Sequence, residues 1–171
     1  MKPNWRGEWA RKSSRILESV LVLLEQTALA TWIRESGVLY AYPLILFLHT
    51  LGLSTLVGLN SAIDVRLLGF GASVPLQSLE KTFRVMWAGL ALNAATGILL
   101  FIADATRHIS NPAFSVKLAC VALAVVVLVR IRNQVFRKNG SGKALAAASL
   151  TFWLVALSAG RLMAYIDEFM Y

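Results

Sequence analysis

Cysteine is nearly absent: Cys120 is the only one in 171 residues. It falls inside an apolar run, so the chain has neither a disulfide framework nor a cysteine cluster with zinc spacing. Histidine is almost as scarce, with His49 and His108 alone, which excludes paired imidazoles at helical spacing for a second haem. Charge is thin, at 15% of residues against 57% hydrophobic ones, and a mean hydropathy of +0.64 is too high for a soluble domain of this length. Acidic residues number 9 against 17 lysines and arginines, a net charge of +8. The basic residues flank apolar runs and form no aromatic-laced face, so nucleic acid is not an expected partner and anionic lipid headgroups are the natural counter-charge. No Ser-His-Asp order, phosphate-cradling glycine loop or zinc motif is present, and "NGSGK" lacks the P-loop spacing.

What the chain does have is long apolar segments. A bilayer core about 30 Å thick needs roughly 20 apolar residues per helical span. Four segments meet that length, at about residues 39–63, 85–105, 113–129 and 144–166. The third is the shortest and requires Lys117 and Arg130 to snorkel to opposite interfaces. The expected fold is all-α: an integral membrane four-helix bundle over residues 37–171, preceded by a basic N-terminal tail over 1–15 and an amphipathic interfacial helix over 16–36. Glu18, Glu25, Arg34 and Glu35 among the aliphatics of that helix argue against a fifth crossing, because unpaired carboxylates in lipid cost several kcal/mol. The start, "MKPNWRGEWARKSSR", is polar and no cleavage site follows, so the first span is expected to direct insertion.

Arg66, Lys81, Arg84, Arg130, Arg132, Arg137, Lys138 and Lys143 lie in the loops between spans one and two and between three and four. By the positive-inside rule those loops are cytoplasmic and both termini periplasmic, although five basic residues between Lys2 and Arg15 weigh the other way.

Membrane helices associate through close backbone approach and polar pairing, since lipid is as apolar as leucine. Small residues recur every four positions at Thr50, Ser54, Gly58 and Ala62, at Gly89, Asn93 and Gly97, and at Ala156, Gly160 and Ala164. These stripes are expected to pack within the chain, with one available to an oligomer or a partner subunit. His49 lies roughly 14 Å along the first span, near mid-membrane, and Asn93 reaches a similar depth, so an imidazole–carboxamide bond between the two helices is expected. Asn60, on nearly the same face as His49, would extend a polar line toward the inner side. The alternatives for His49 are a haem b or copper ligand and a proton relay. His108 and Met163 are the candidate co-ligands, His108 lying at the outer boundary with soft thioether sulfur nearby. Arg161 needs an anion within its apolar run, and Asp104 is the expected partner. Asp64 is expected to pair with Arg66, Arg84 or Arg130.

The strings "LEQTALATWIRES", "LHTLGLSTLVG", "DVRLLG", "WAGLALNAATGILLFIADA", "NPAFSVKL" and "AGRLMAY", in that order, resemble the bacterial membrane proteins grouped as the domain of unknown function DUF6644. The likeness runs from about Leu24 to Tyr165. It implies a four-span bacterial inner-membrane protein whose pattern includes His49, Asp64, Arg66, Asn111, Pro112, Ala113, Phe114, Gly160 and Arg161, but not His108. It implies no reaction. A looser resemblance links the first helix to copper-resistance membrane domains. Together these features lead to the expectation of a non-catalytic inner-membrane accessory or anchoring subunit. The alternatives are a redox or metal-handling protein using His49, and a small transporter or channel along the His49–Asn60 line.

Overall fold

A computed structural model describes residues 5–35, 41–71, 73–136 and 141–170, and no strand occurs among them. The described chain forms α1 (Trp5–Glu25), α2 (Ala28–Glu35), α3 (Ala41–Leu68), α4 (Leu76–Glu80), α5 (Thr82–Ala103), α6 (Ala105–Ser110) and α7 (Pro112–Ile131). A π turn over Arg132–Phe136 and the helix α8 (Lys143–Met170) complete it. Four helical stretches are long and apolar enough to cross a membrane: Ala41–Leu68, Leu76–Ala103, Pro112–Phe136 and Lys143–Met163. The expected all-α, four-span architecture is therefore present, with the second and third spans longer than the hydrophobic runs alone suggested. α4 extends one, and the π turn extends the other.

Local chemistry explains the ends. Gly69, at φ 112°, closes α3 with the paired bonds of a Schellman cap, Phe70 N to Val65 O and Gly69 N to Arg66 O, each 3.2 Å. Asn111 caps α7, its Oδ1 accepting from the Ala113 N–H at 2.9 Å, and Pro112 occupies the first helical position where no N–H is needed. The Asn111 amide also donates to the Met163 carbonyl at 3.2 Å, fixing the start of α7 against the end of α8.

The spans pack as two antiparallel pairs, α3 with α5 and α7 with α8, joined by an α3–α8 seam. The α3–α5 pair is the tightest. A methyl group built on Gly52 would stand 2.8 Å from both the Gly89 carbonyl and the Asn93 nitrogen, so only hydrogen fits there. A methyl built on Gly89 would in turn stand 3.0 Å from the Gly52 carbonyl. The stripe expected to make this contact does not. Thr50, Ser54, Gly58 and Ala62 are exposed, and Gly58 has nothing within 4 Å of a built methyl. The packing face is rotated onto Ile45, Gly52, Leu56 and Ile63, which are buried. On span two the expected residues Gly89, Asn93 and Gly97 do face α3. On span four Ala156 is buried, Gly160 lies under the Lys117 side chain, and the Ala164 side chain lies outside the described residues.

The apolar core is concentrated toward the end of the bundle with the basic loops, around Leu56, Ile63, Phe83, Met86, Leu128 and Trp153. At the opposite end Ile33 of α2 packs with Ile45 and Ala103. The expected basic tail is helical from Trp5 onward; residues 1–4 lie outside the description. The segment expected as one interfacial helix is two, bent by 61° at Gln26 and Thr27, and together the pair has the length and apolarity of a bent fifth crossing. Its Ile16, Leu17, Val20, Val22 and Leu23 are all exposed, a surface that lipid would cover.

Gly52→Ala is expected to destabilise the protein by about 1–3 kcal/mol, because the atoms in the way are backbone and cannot swing aside. Gly58→Ala should be neutral or stabilising by up to about 1 kcal/mol through helix propensity. Unfolding in a single detergent, measured on both variants, distinguishes the two faces of α3.

Candidate functional site

Polar side chains inside the spans form two separate clusters. The first lies between α3 and α5 and is built by the glycine contact. With the backbones touching at Gly52, the Asn93 amide reaches across to the His49 carbonyl at 2.9 Å, and His49 Nδ1 lies 3.0 Å from the Asn93 carbonyl. Thr96 Oγ1 stands 3.1 Å from the same nitrogen and gives its own proton to the Leu92 carbonyl at 2.7 Å. The two nearest neighbours of Nδ1 are thus acceptors, with the Asn93 amide nitrogen farther off at 3.3 Å, which places the imidazole proton on Nδ1 and leaves the Nε2 lone pair. Nε2 has one neighbour, the Asn93 amide at 3.3 Å, whose other proton already goes to the His49 carbonyl. Gly97 makes room for the ring: a methyl there would be 3.1 Å from His49 Cε1. Lys117 enters the same region from α7, its alkyl chain lying across Gly160, close enough to His49 to act on it electrostatically. Among the described residues no acid pairs with Lys117.

The second cluster is buried at the α3–α8 seam. Asn60, Asp64 and Ser149 are each 0% exposed. The Asn60 amide donates to Asp64 Oδ2 at 2.6 Å and to Ser149 Oγ at 2.7 Å. Leu56 on α3 lies one turn from Asn60 on the His49 side, and Trp153 lies one turn beyond Ser149 on α8; both are 1% exposed. His49 and Asn60 therefore belong to different clusters with apolar side chains between them, and the continuous polar line expected from the sequence is interrupted.

Other expected pairings are redistributed. Asp64 takes none of Arg66, Arg84 and Arg130, because Arg66 gives its Nε to the Val74 carbonyl at 2.7 Å and the other two are exposed. Asp104 pairs with Arg107, three residues on, at 3.8 Å, not with Arg161. Arg161 lies against Tyr165, its guanidinium 5.4 Å from the ring centre and 3.4 Å from the hydroxyl. On α6, beyond the break at Asp104, His108 turns back to the Asp104 carbonyl at 2.6 Å and packs edge-on to Phe114, whereas His49 sits against Gly97 within α5. The structure therefore does not bring His49, His108 and Met163 together; Met163 contributes its carbonyl to Asn111. No group of three His, Cys, Asp or Glu side chains with metal-binding geometry occurs among the described residues.

A clasp missed at the sequence level joins the N-terminal helices to the bundle. α5 breaks at Asp104, leaving orphan carbonyls on one side and orphan N–H groups on the other. Arg34 donates to the Ala103 carbonyl at 2.8 Å and to the Glu25 carbonyl at 2.7 Å, while Glu25 Oε1 accepts from the Thr106 N–H at 2.6 Å. A cation thus covers helix C-termini and an anion covers a helix N-terminus, each matched to the local dipole. Glu25 and Arg34 stand out in the sequence as charges among aliphatics, but nothing local reveals that their partners are backbone groups seventy to eighty residues away.

Comparison with family models, with curated proteins and with solved structures returns no match to this chain.

Burial pushes the Glu25 carboxyl up, but hydrogen bonds from Thr106, the Arg34 charge and the Ala105 backbone outweigh it and hold the group below the ordinary carboxylate range. A carboxyl depressed in the folded state stabilises it fully above the unfolded value of about 4.3 and loses that contribution as pH falls through the folded value. Hydrogen exchange in α1 and α2, corrected for intrinsic rate, should therefore accelerate on acidification below about pH 4, and Glu25→Gln should abolish that pH dependence. Protection that is flat with pH in the wild type would contradict the clasp.

Proposed function

We propose that this protein is a non-catalytic accessory or anchoring subunit of a larger assembly in the bacterial inner membrane, of the DUF6644 type, with both termini periplasmic. The observation that carries this reading is the exposed small-residue face of α3. Thr50, Ser54, Gly58 and Ala62 are spaced for close helix approach, yet the chain packs α3 through a different face. In lipid such a face stabilises association through backbone proximity, and the open space over Gly58 suits a transmembrane helix of a partner subunit. The self-contained bonding of His49 with Asn93 and Thr96 supports the same reading, since it gives the histidine a structural task. The basic loops that the positive-inside rule assigns to the cytoplasm support the orientation. Purification from native membranes in mild detergent is expected to yield a distinct partner at fixed stoichiometry, lost from Gly58→Leu while that variant still folds. A wild-type protein that runs as a single chain, or only with copies of itself, would overturn the reading.

One observation favours a second reading, a redox or metal-handling role. A ligating histidine usually donates its other ring N–H to a fixed acceptor, and His49 does so, with Nδ1 on the Asn93 carbonyl and the Nε2 lone pair barely engaged. Axial ligation of haem b or coordination of copper would use that atom. A Soret band or bound copper in the purified wild type, absent from His49→Ala, would select this reading over the first.

A further inference from the structure

Asp64 has a carboxyl at 0% exposure, and among the described residues no cation forms an ion pair with it. Among the described residues the arginines at that end of the bundle are placed elsewhere: Arg66 on the Val74 carbonyl, Arg84 and Arg130 exposed, and Arg132 with its guanidinium 5.6 Å above the Phe83 ring and its Nε buried without an acceptor; Arg137 and Lys138 lie outside the described residues. Lys81 and Lys143 are exposed. The residues around the cluster from α3, α5, α7 and α8 are largely apolar, among them Ile63, Phe83, Leu128, Ala146 and Trp153, the last with its indole N–H buried and without an acceptor. A bare carboxylate in such surroundings would lack both hydration and a counter-charge, a cost of several kcal/mol.

The hydrogen-bond inventory identifies what is missing. Both Asn60 amide protons are spent, one on Asp64 Oδ2 and one on Ser149 Oγ. Two buried oxygens, Asn60 Oδ1 and Asp64 Oδ1, have no donor. The eight-membered ring that a carboxylic acid forms with a primary amide uses both such oxygens in addition to the Asn60–Asp64 bond. In that ring the amide N–H donates to one acid oxygen, and the other acid oxygen, carrying a proton, donates to the amide carbonyl. One proton on Asp64 Oδ1 converts an orphan acceptor into a donor, supplies the Asn60 carbonyl, and removes the charge. A divalent metal fits poorly, since it wants six or more oxygens and usually more than one carboxylate.

We propose that Asn60, Asp64 and Ser149 form a proton-binding site at the α3–α8 seam, with Asp64 holding a proton on Oδ1 in the resting bundle. The site is independent of the accessory reading and of any ligand on His49. Uptake takes one proton from water, and its loss leaves a buried carboxylate beside the Asn60 side chain with two buried acceptor oxygens, Asn60 Oδ1 and Asp64 Oδ1, without a donor. The seam between the two helix pairs is thereby weakened by deprotonation. The folded state then holds one proton that the unfolded chain, with its aspartate ionised at neutral pH, does not. Stability falls as pH rises, tenfold in the folding equilibrium constant per pH unit where this one proton separates the two states.

Infrared spectroscopy of the purified full-length protein in detergent tests this. A neutral carboxylic acid C=O band is expected in the wild type at neutral pH and is lost in Asp64→Asn, a variant that keeps the shape and the neutral charge. The alkaline decline of the unfolding midpoint should flatten in the same variant. If Asp64→Asn does not fold, Ser149→Ala leaves the carboxyl in place and removes one neighbour, and is expected to displace the band; a band unmoved by that change belongs to another group and overturns the proposal. Absence of the band in the wild type overturns it as well. If the absence comes with an unfolding midpoint that rises in sodium chloride over choline chloride at equal ionic strength, a sodium ion occupies the site instead.

Discussion

Two glycines bring the backbones of α3 and α5 into contact. Because a side chain on Gly52 would meet the Gly89 carbonyl and the Asn93 nitrogen, the helices approach until only hydrogens separate them. That distance lets a short amide and an imidazole each reach the opposite main chain, so the polar exchange between His49 and Asn93 is a product of the close contact. In lipid, where burial of apolar surface between helices gains little, this coupling of packing and hydrogen bonding sets the geometry of the first pair. The orientation of His49, the room left by Gly97 and the outward rotation of the small-residue face all follow from it.

The second constraint is the break at Asp104. A helix interrupted at the membrane boundary exposes backbone groups of both signs, and the chain answers them from a distant segment, with Arg34 on the carbonyls and Glu25 on an N–H. The N-terminal helices are held by this matching of charge to helix end together with the burial of Leu21, Ala30 and Ile33. Ile33 is the side chain of α2 that enters the apolar cluster there.

The fold was legible because length and apolarity decide it. Four stretches of the right length could be little else, and the breakers "NPAF" and Gly69 mark true ends. Partners were less legible for a geometric reason. On α3 small residues occur on two faces, and the regular four-residue stripe through Gly58 is more conspicuous in sequence than the single Gly52 that makes the contact. His49 and Asn93 were predictable from depth, whereas Thr96, which helps fix the tautomer, was not, since a threonine in a helix ordinarily returns its hydroxyl to its own backbone, as Thr50 and Thr55 do. Asp104 looked like the partner of Arg161 by depth alone. The helix break instead turned it toward Arg107. Ser149, a small hydroxyl in an alanine-rich run, acquires meaning only when α8 lies against Asn60.

The bond between Asn60 and Ser149 joins positions 89 residues apart in the chain. During synthesis at 5–20 residues per second, roughly 4 to 18 s separate their appearance. From the completion of α5 at Ala103 until Ser149 appears, the first helix pair carries an amide and a carboxyl side by side with no hydroxyl from α8 to receive them. The nascent hairpin therefore carries an unfinished polar site. Its completion by the last helix to be made gives assembly an order, in which the first pair accepts the second only when the final span arrives in register.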